Sequence, residues 1–435
     1  MMQRFLVCII ALWNVLSFGA IASPAWNRRL AEIDKSPVDD EGLRLLKLQE
    51  EALRNVNEAI GRGHHSHHDE KDMYEAGGDH ERKKWSTCTK EKLRIRKEWR
   101  FLSKKDRENY INAVYCLKLK PSLYTEQEAP GSKSLFDSFT AVHINQTLLV
   151  HGNFNFLAWH RYFVWLYEEA LRDCGYKGPI PYWEWGYDVY DPHKSPLFDG
   201  SPHSLGSDGA PLPNREPTYL QGPPPPIPQP PPGKGMRFSV GLGGGCVMSG
   251  PFAEMPANLG PVILGGGEVE SNPLRHKPSC LKRDLSPEIG QKYNSFNWST
   301  WSIEESVDIV GFQSRLSGDQ GQGHGDYPLN FWGVHGGGHT FLGGETGHHS
   351  DFYASPQDPA FFLHHAQIDR LWSIWQWLDI KERRDQFYGT LTFANIPPSR
   401  NGTLDDLLEF GRLAPPIPLR EVMGTTGGPF CYFYE

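Results

Sequence analysis

The chain has 435 residues, of which 38% are hydrophobic and 12% are aromatic, so it is long enough and apolar enough to bury a sizeable core. Its formal net charge of −8 argues against nucleic acid as the main partner. Beyond the N-terminus no apolar run is long enough to cross a bilayer, so we expect no membrane partner.

The N-terminus has the pattern of a secretory signal peptide. Arg4 supplies the positive charge, an apolar stretch follows, and small residues near Ala22 fit a cleavage site. We therefore assign residues 1–22 to a signal peptide and expect a secreted, extracellular protein. The even number of cysteines that remains predicts three disulfides without choosing among the pairings. These residues are Cys88, Cys116, Cys174, Cys246, Cys280 and Cys431.

Residues 23–84 form a polar extension in this interpretation, and residues 85–435 form one main domain. Within the extension, apolar spacing without proline predicts a helix over 41–60. A histidine tract follows at 64–68. Such tracts bind metals, but loosely ordered polar segments rarely build a specific site, so a solvated surface loop is the preferred interpretation.

Two helix boundaries are marked clearly in the first half of the domain. Ser103 precedes an acidic first turn, which is typical of a helix start. The segment AWHRYFVWLYEEALRDCG predicts a helix that ends at Gly175, as a C-cap glycine would end it.

Residues 193–284 are rich in proline and glycine, and PPPPIPQPPPGKG cannot be a central strand or helix. We interpret this stretch as a loop excursion from the domain surface. An interdomain linker is the alternative, because unstructured loops of this length are uncommon inside compact domains.

Six histidines in two groups of three carry the functional argument. Three neutral imidazoles hold one first-row metal ion and leave a position open for a small ligand. Two facing sites would make a dinuclear centre that binds dioxygen between the metals. The first group is His143, His151 and His160, and the second is His335, His339 and His365.

The second group begins with HGGGH. Residues four apart lie on one face of a helix, so His335 and His339 could grip one metal. Three glycines disfavour a helix by about 1 kcal/mol each, and metal ligation with close backbone packing would offset that cost. A glycine loop with two incidental histidines is the alternative.

The segment DPAFFLHHAQID predicts a helix start, with Asp358 as the cap and Pro359 in the first turn. Adjacent helical residues face different directions, so only one of His364 and His365 can bind the same metal. We choose His365 because Asp369 shares its face. A carboxylate there would fix the orientation of the imidazole.

Three asparagines stand in glycosylation sequons, which predicts a glycoprotein. Asn145 lies two residues from a candidate ligand, so we expect it to be buried and unmodified. Asn297 and Asn401 are the better candidates.

Long segments of the chain resemble the tyrosinase and catechol oxidase family of type 3 copper proteins. HGNFNFLAWHRYFVWLYE resembles the first copper signature of that family, and DPAFFLHHAQID resembles the second, with HGGGH preceding it. The resemblance covers roughly residues 88–390 and is strongest to the short secreted fungal polyphenol oxidases.

The resemblance implies a mainly α fold, in which a central four-helix bundle holds two copper ions and long irregular loops surround it. Dioxygen is then the co-substrate, and a small phenol is the substrate. Copper A is held by His143, His151 and His160, and copper B by His335, His339 and His365. We expect a monomer or a small homo-oligomer.

The family pattern also bears on the reaction. In many tyrosinases an asparagine directly after the first copper B histidine acts with a nearby glutamate to orient a water that deprotonates monophenols. Here that position is Gly336, and the nearest upstream acid is Asp326. We therefore expect oxidation of o-diphenols and o-substituted monophenols to o-quinones, rather than full tyrosinase activity.

Two further positions concern the pocket. Some family members link a cysteine to the second copper A histidine, but Leu149 stands at that position. Phe352 stands where a bulky gate residue covers copper A in some catechol oxidases, and ordinary loop packing is the alternative. The competing functions are a full tyrosinase, a haemocyanin-like dioxygen-binding protein and a structural zinc protein.

Overall fold

The computed structural model describes residues 38–62, 88–220, 236–238, 240–263, 269–318 and 332–435. Within these ranges no helix is long and apolar enough to span a membrane. The predicted signal peptide, the histidine tract and Asp326 lie outside the described residues.

Helices carry most of the regular structure, as the apolar spacing predicts. They are α1 (Asp40–Arg62), α2 (Lys104–Leu119), α3 (Leu135–Val150), α4 (Phe156–Asp173), α5 (Pro287–Tyr293), α6 (Phe296–Glu304), α7 (Ile309–Ser317), α8 (Gly333–Gly343), α9 (Ala360–Leu378) and α10 (Ile380–Arg383). Their ends follow capping chemistry. The Ser103 side chain accepts a hydrogen bond from the Asp106 N–H at the start of α2. Gly175, just beyond α4, has φ +89°, which glycine adopts without strain.

Four helices, α3, α4, α8 and α9, surround the centre of the domain. Aromatic side chains fill the space between α3, α4 and α9. Tyr167 of α4 stacks on Phe362 of α9 with ring centroids 3.5 Å apart, and Phe139 of α3 meets Tyr167 edge-on at 5.3 Å. All three side chains are buried. The predicted mainly α fold with a central four-helix bundle is confirmed.

Helix α1 packs against α9 and belongs to the same compact unit, which comprises Asp40–Glu435. The Gln49 side chain accepts a 2.5 Å hydrogen bond from Arg370, and the Asn55 amide donates to the Trp377 carbonyl at 2.9 Å. The helix predicted over 41–60 is therefore present. The compact unit begins at Asp40 and so includes this helix.

The strands are short and occur in pairs. They are β1 (Arg94–Arg96), β2 (Gly209–Pro211), β3 (Thr218–Leu220), β4 (Met236–Phe238), β5 (Gly244–Val247), β6 (Pro256–Ala257), β7 (Ser279–Cys280), β8 (Leu407–Leu408), β9 (Ile417–Pro418) and β10 (Tyr432–Tyr434). β1 and β10 pair in parallel, with Arg94 opposite Tyr432. The other pairs among the described residues, β2–β5, β3–β4, β6–β7 and β8–β9, are antiparallel.

The described parts of the 193–284 excursion are anchored on the helical domain. Leu259 and Val262 are buried in one apolar cluster with Ala141 and Ile144 of α3. At the end of the excursion, Arg283 forms a fully buried ion pair with Asp358 at 2.8 Å. These contacts favour a loop of the domain over a linker between domains.

The six cysteines form three disulfides, as predicted. The pairs are Cys88–Cys431, Cys116–Cys174 and Cys246–Cys280. The prediction that Asn145 is buried is wrong, because this residue is exposed. Two residues along a helix point to nearly opposite sides, so Asn145 faces solvent while His143 faces the bundle. Asn297 and Asn401 are also exposed.

Candidate metal centre

The first three histidines converge at the junction of α3 and α4, and we call them cluster A. His143 lies in α3, His151 is its C-cap and His160 lies in α4. The ring centroid of His151 lies 5.2 Å from that of His143 and 4.9 Å from that of His160. Gly152, with φ +57°, reverses the chain between the helices, which is the break that the spacing requires.

Main-chain carbonyls orient every ring of cluster A through Nδ1. The partners are the carbonyl oxygens of Tyr353 for His143 at 2.6 Å, Thr147 for His151 at 2.8 Å and Phe156 for His160 at 2.8 Å. A carbonyl only accepts, so each Nδ1 carries the proton and each Nε2 keeps its lone pair. The Nε2 atoms of His143 and His160 are buried without a partner among the described residues.

The HGGGH segment forms α8, so the loop alternative is wrong. Close packing accounts for two of its glycines. A Cβ on Gly337 would lie 2.4 Å from the Tyr293 Cβ, and a Cβ on Gly338 would lie 2.4 Å from the His364 Cε1. Side chains at these positions would force the helix away from its neighbours.

His335, His339 and His365 converge between α8 and α9, and we call them cluster B. The Nε2 of His339 lies 3.1 Å from the Nε2 of His335 and 3.3 Å from the Nε2 of His365. The His339 Nδ1 meets the carbonyl oxygen of His349 at 2.8 Å, so its Nε2 has a free lone pair. Three ring nitrogens facing one point form an arrangement that a cation stabilises.

A fourth imidazole, His364, lies beside cluster B. The ligating atoms of His335, His339, His364 and His365 all lie within 4.8 Å of one another. From the sequence we expected the two adjacent histidines to point apart, and we did not predict this proximity. His364 differs from the others because its Nδ1 faces the indole Nε1 of Trp185 at 3.2 Å.

The two clusters face each other across the bundle. The rings of His160 and His365 stack with centroids 4.3 Å apart and an interplanar angle of 11°. The rings of His151 and His335 are 6.0 Å apart. Two three-imidazole sites are thus close enough to share one small ligand.

Burial keeps these imidazoles neutral. Desolvation lowers the pKa of His143 to about 3 and that of His151 to about 4. It also lowers the pKa values of His160, His335, His339 and His365 well below the ordinary value. Neutral imidazoles are the form that binds metals.

Asp369 does not orient His365, and that prediction is wrong. Its carboxylate accepts hydrogen bonds from Arg161 at 2.5 Å, Arg96 at 3.2 Å and the hydroxyls of Tyr432 and Tyr434 at 2.6 and 2.5 Å. The Nδ1 of His365 has no partner among the described residues. The two guanidinium groups attract the carboxylate away from the imidazole one turn before it.

Known proteins of one family are similar to this chain over most of its length. Residues 133–378 match the family model described as the common central domain of tyrosinase. Tyrosinase P of Aspergillus terreus is 41% identical over 346 residues, which cover 78% of this chain and 91% of that protein. The chain belongs to the tyrosinase family.

Other relatives agree with this assignment. The N-acetyl-6-hydroxytryptophan oxidase ivoB of Emericella nidulans is 38% identical over 368 residues, or 80% of this chain and 94% of that protein. Among solved structures, a mutant polyphenol oxidase from Thermothelomyces thermophila superposes with a TM-score of 0.76 at 36% identity. That match covers 90% of this chain and 98% of the other. This tyrosinase-family chain is therefore a copper-dependent oxidoreductase.

The residues present fit the dinuclear copper that the tyrosinase family implies. Imidazole nitrogens suit copper, and each cluster offers three while leaving room for a further ligand. The unpartnered buried Nε2 atoms of His143 and His160 would be satisfied by a metal.

The remaining predicted positions lie at the edge of the centre. The Phe352 ring is half-buried, with its centroid 5.0 Å from that of His151. Gly336 is half-buried in α8, and a Cβ there would lie 3.1 Å from the Trp332 ring. Leu149 is 51% exposed and takes no part in the centre.

Proposed function

We propose that this protein is a secreted dicopper phenol oxidase that converts o-diphenols and o-substituted monophenols to o-quinones with dioxygen. The observation that carries the proposal is the facing pair of three-imidazole clusters in a chain of the tyrosinase family. In this proposal, copper A binds His143, His151 and His160. Copper B binds His335, His339 and His365.

Copper bound in the two clusters would supply dioxygen binding and the two-electron oxidation of the phenol. The protein's own contribution is orientation and exclusion of water. The carbonyls of Tyr353, Thr147 and Phe156 direct three Nε2 lone pairs inward, as described above. The burial of the imidazoles keeps them unprotonated, so the ligands stay available in mildly acidic surroundings.

Substrate access is expected at the half-buried side, where Phe352 and Gly336 lie. Gly336 supports the preference for diphenols, because it presents no side chain that could hold a water for deprotonating a monophenol. Three disulfides support secretion, since such bonds form in oxidising compartments.

The test is oxygen uptake by copper-loaded enzyme on matched monophenols and diphenols, with metal analysis of the same sample. We expect oxidation of a catechol to be at least about ten times faster than hydroxylation of the matching monophenol, a difference of about 1.4 kcal/mol in barrier. Equal rates on tyrosine and its catechol would contradict the preference. Zinc in the purified sites, or dioxygen binding without turnover, would contradict the function itself.

Gly336→Asn sharpens the test. The variant places an amide beside His335, so the ratio of monophenol to diphenol oxidation should rise. Gly336→Ala is the matched control, because it adds the same Cβ against Trp332 without the amide.

A further inference from the structure

His364 is a buried imidazole at cluster B that a three-ligand copper site does not use. Its side chain is fully buried, and its ring centroid lies 4.4 Å from that of His339 and 5.0 Å from that of His365. Four imidazoles around one metal would resemble the closed ligand set of a structural site and would obstruct the position that dioxygen or phenol needs. Something must therefore keep His364 from binding.

The contact with Trp185 decides which nitrogen of His364 carries the proton. The indole N–H can only donate, so at 3.2 Å the His364 Nδ1 must accept. In a neutral imidazole the proton then lies on Nε2. The lone pair of Nδ1 is occupied by the indole and Nε2 has none free, so neither nitrogen can bind a metal.

This arrangement is the reverse of that in the neighbouring ligands. The Nδ1 atoms of His143, His151, His160 and His339 all face carbonyl oxygens, which places their protons on Nδ1. Among the described contacts of the clustered histidines, a donor faces Nδ1 only at His364. The Nε2 of His364 is buried without a partner among the described residues, so no other group there fixes its proton.

Hydrogen bonds fix the position of the Trp185 segment against the helix that carries His364. The preceding residue, Glu184, accepts hydrogen bonds from Gln367 at 2.8 Å and Arg370 at 2.5 Å, both on the helix that carries His364. Gly338 allows the Trp185 indole to lie close to α8, since a Cβ at Gly338 would lie 3.1 Å from the indole Nε1.

We propose that Trp185 is a positioning residue that fixes the tautomer of His364 and so excludes this histidine from copper B. The site thereby keeps three imidazoles and an open coordination position. The inference rests on the proposed dicopper function.

The test is copper content per full-length chain after reconstitution and dialysis. His365→Ala should lower the content from two ions to one, because the three ligands of cluster A remain in place. Adding Trp185→Phe removes the N–H and frees His364, so the double variant should recover the second ion. Adding His364→Ala as well should lose it again. A double variant that folds but stays at one copper would overturn the proposal.

A second measurement tests the proposal even if the double variant fails to fold. In metal-free wild-type protein labelled with ¹⁵N-histidine, the His364 signals, assigned by their loss in His364→Ala, should show a protonated Nε2 and an unprotonated Nδ1. A protonated Nδ1 would overturn the proposal without touching the proposed function. Failure of the function would appear separately, as a wild-type chain that binds no copper pair.

Discussion

Cluster A orients its imidazoles with main-chain carbonyls, whereas cluster B depends on the side chains and glycines around it. All three rings of cluster A have an Nδ1 bonded to a carbonyl, and two of those carbonyls belong to α3 and the start of α4. In cluster B only His339 shows this contact among the described ligand contacts, and its partner, His349, lies outside α8 and α9.

The difference shows two ways of building similar metal sites. A ring bonded to the carbonyl four residues before it is oriented as soon as its helix forms. Cluster B needs α8 to pack tightly on neighbouring elements, with Gly337 against Tyr293 and Gly338 against His364. We therefore expect cluster A to tolerate changes in its surroundings better than cluster B.

Removing a ligand should have the largest effect. His160→Ala should abolish oxygen uptake on catechol, because a single copper cannot share dioxygen with a partner. Metal analysis should find about one copper per chain, held in cluster B. His276→Ala is the control, since this histidine is exposed. A His160→Ala protein that keeps both ions would remove His160 from the ligand set.

Asp369→Asn should be the most destabilising change that leaves the ligands in place. The Asp369 carboxylate is buried between Arg161 and Arg96, and breaking such a network costs about 3–5 kcal/mol. Chemical denaturation should show this loss, while the exposed control Asp385→Asn should show little. Loss of copper B at unchanged stability would support the prediction that Asp369 orients His365.

Glu98 gives a pH-dependent test of the segment that leads to Trp185. Its backbone forms a parallel β-bridge with Tyr182, three residues before Trp185. Burial raises the pKa of Glu98 to about 7, although Arg100 opposes the shift. The folded state then holds a proton that the unfolded state releases, so this group's contribution to stability falls as pH rises from about 4.5 to about 7.

Glu98→Gln removes that dependence. The unfolding free energy of the variant relative to wild type should rise across this pH window, by an amount on the order of 3 kcal/mol. Denaturation of both proteins at several pH values measures it, with Glu108→Gln, whose side chain is 47% exposed, as the control. A difference that stays constant with pH would show that folding does not raise the pKa of Glu98.

Local patterns predicted the helices and the six candidate histidine ligands, because spacing and capping depend on residues that are close in sequence. The partners of Asp369 were missed since Arg96 and the tyrosines of β10 come from the far ends of the domain, and no local signal places them there. Trp185 was not identified from the sequence. Its contact with His364 depends on how residues 183–185 lie against α9, which spacing does not encode.

The glycines of α8 test the packing of cluster B directly. Gly337→Ala should destabilise the protein by about 1–3 kcal/mol through overpacking against Tyr293. This loss should exceed the roughly 1 kcal/mol by which alanine stabilises a helix relative to glycine. Gly336→Ala meets only the Trp332 ring at 3.1 Å and should change stability little. Thermal melting of the two variants compares them. Equal melting temperatures would show that α8 moves freely against its neighbours.

Phe352 offers the smallest and most selective effect, on the cluster A side. Its ring lies beside His151 and meets Phe393 edge-on at 5.8 Å, so it narrows one side of the centre while remaining half-buried. Phe352→Ala should lower the KM for bulky diphenols severalfold and leave that for catechol nearly unchanged, because only large substrates meet the ring. Phe352→Leu keeps most of the bulk and should behave like wild type. If the alanine variant changes both KM values alike, Phe352 acts by packing the loop, and the difference between the two clusters does not extend to substrate access.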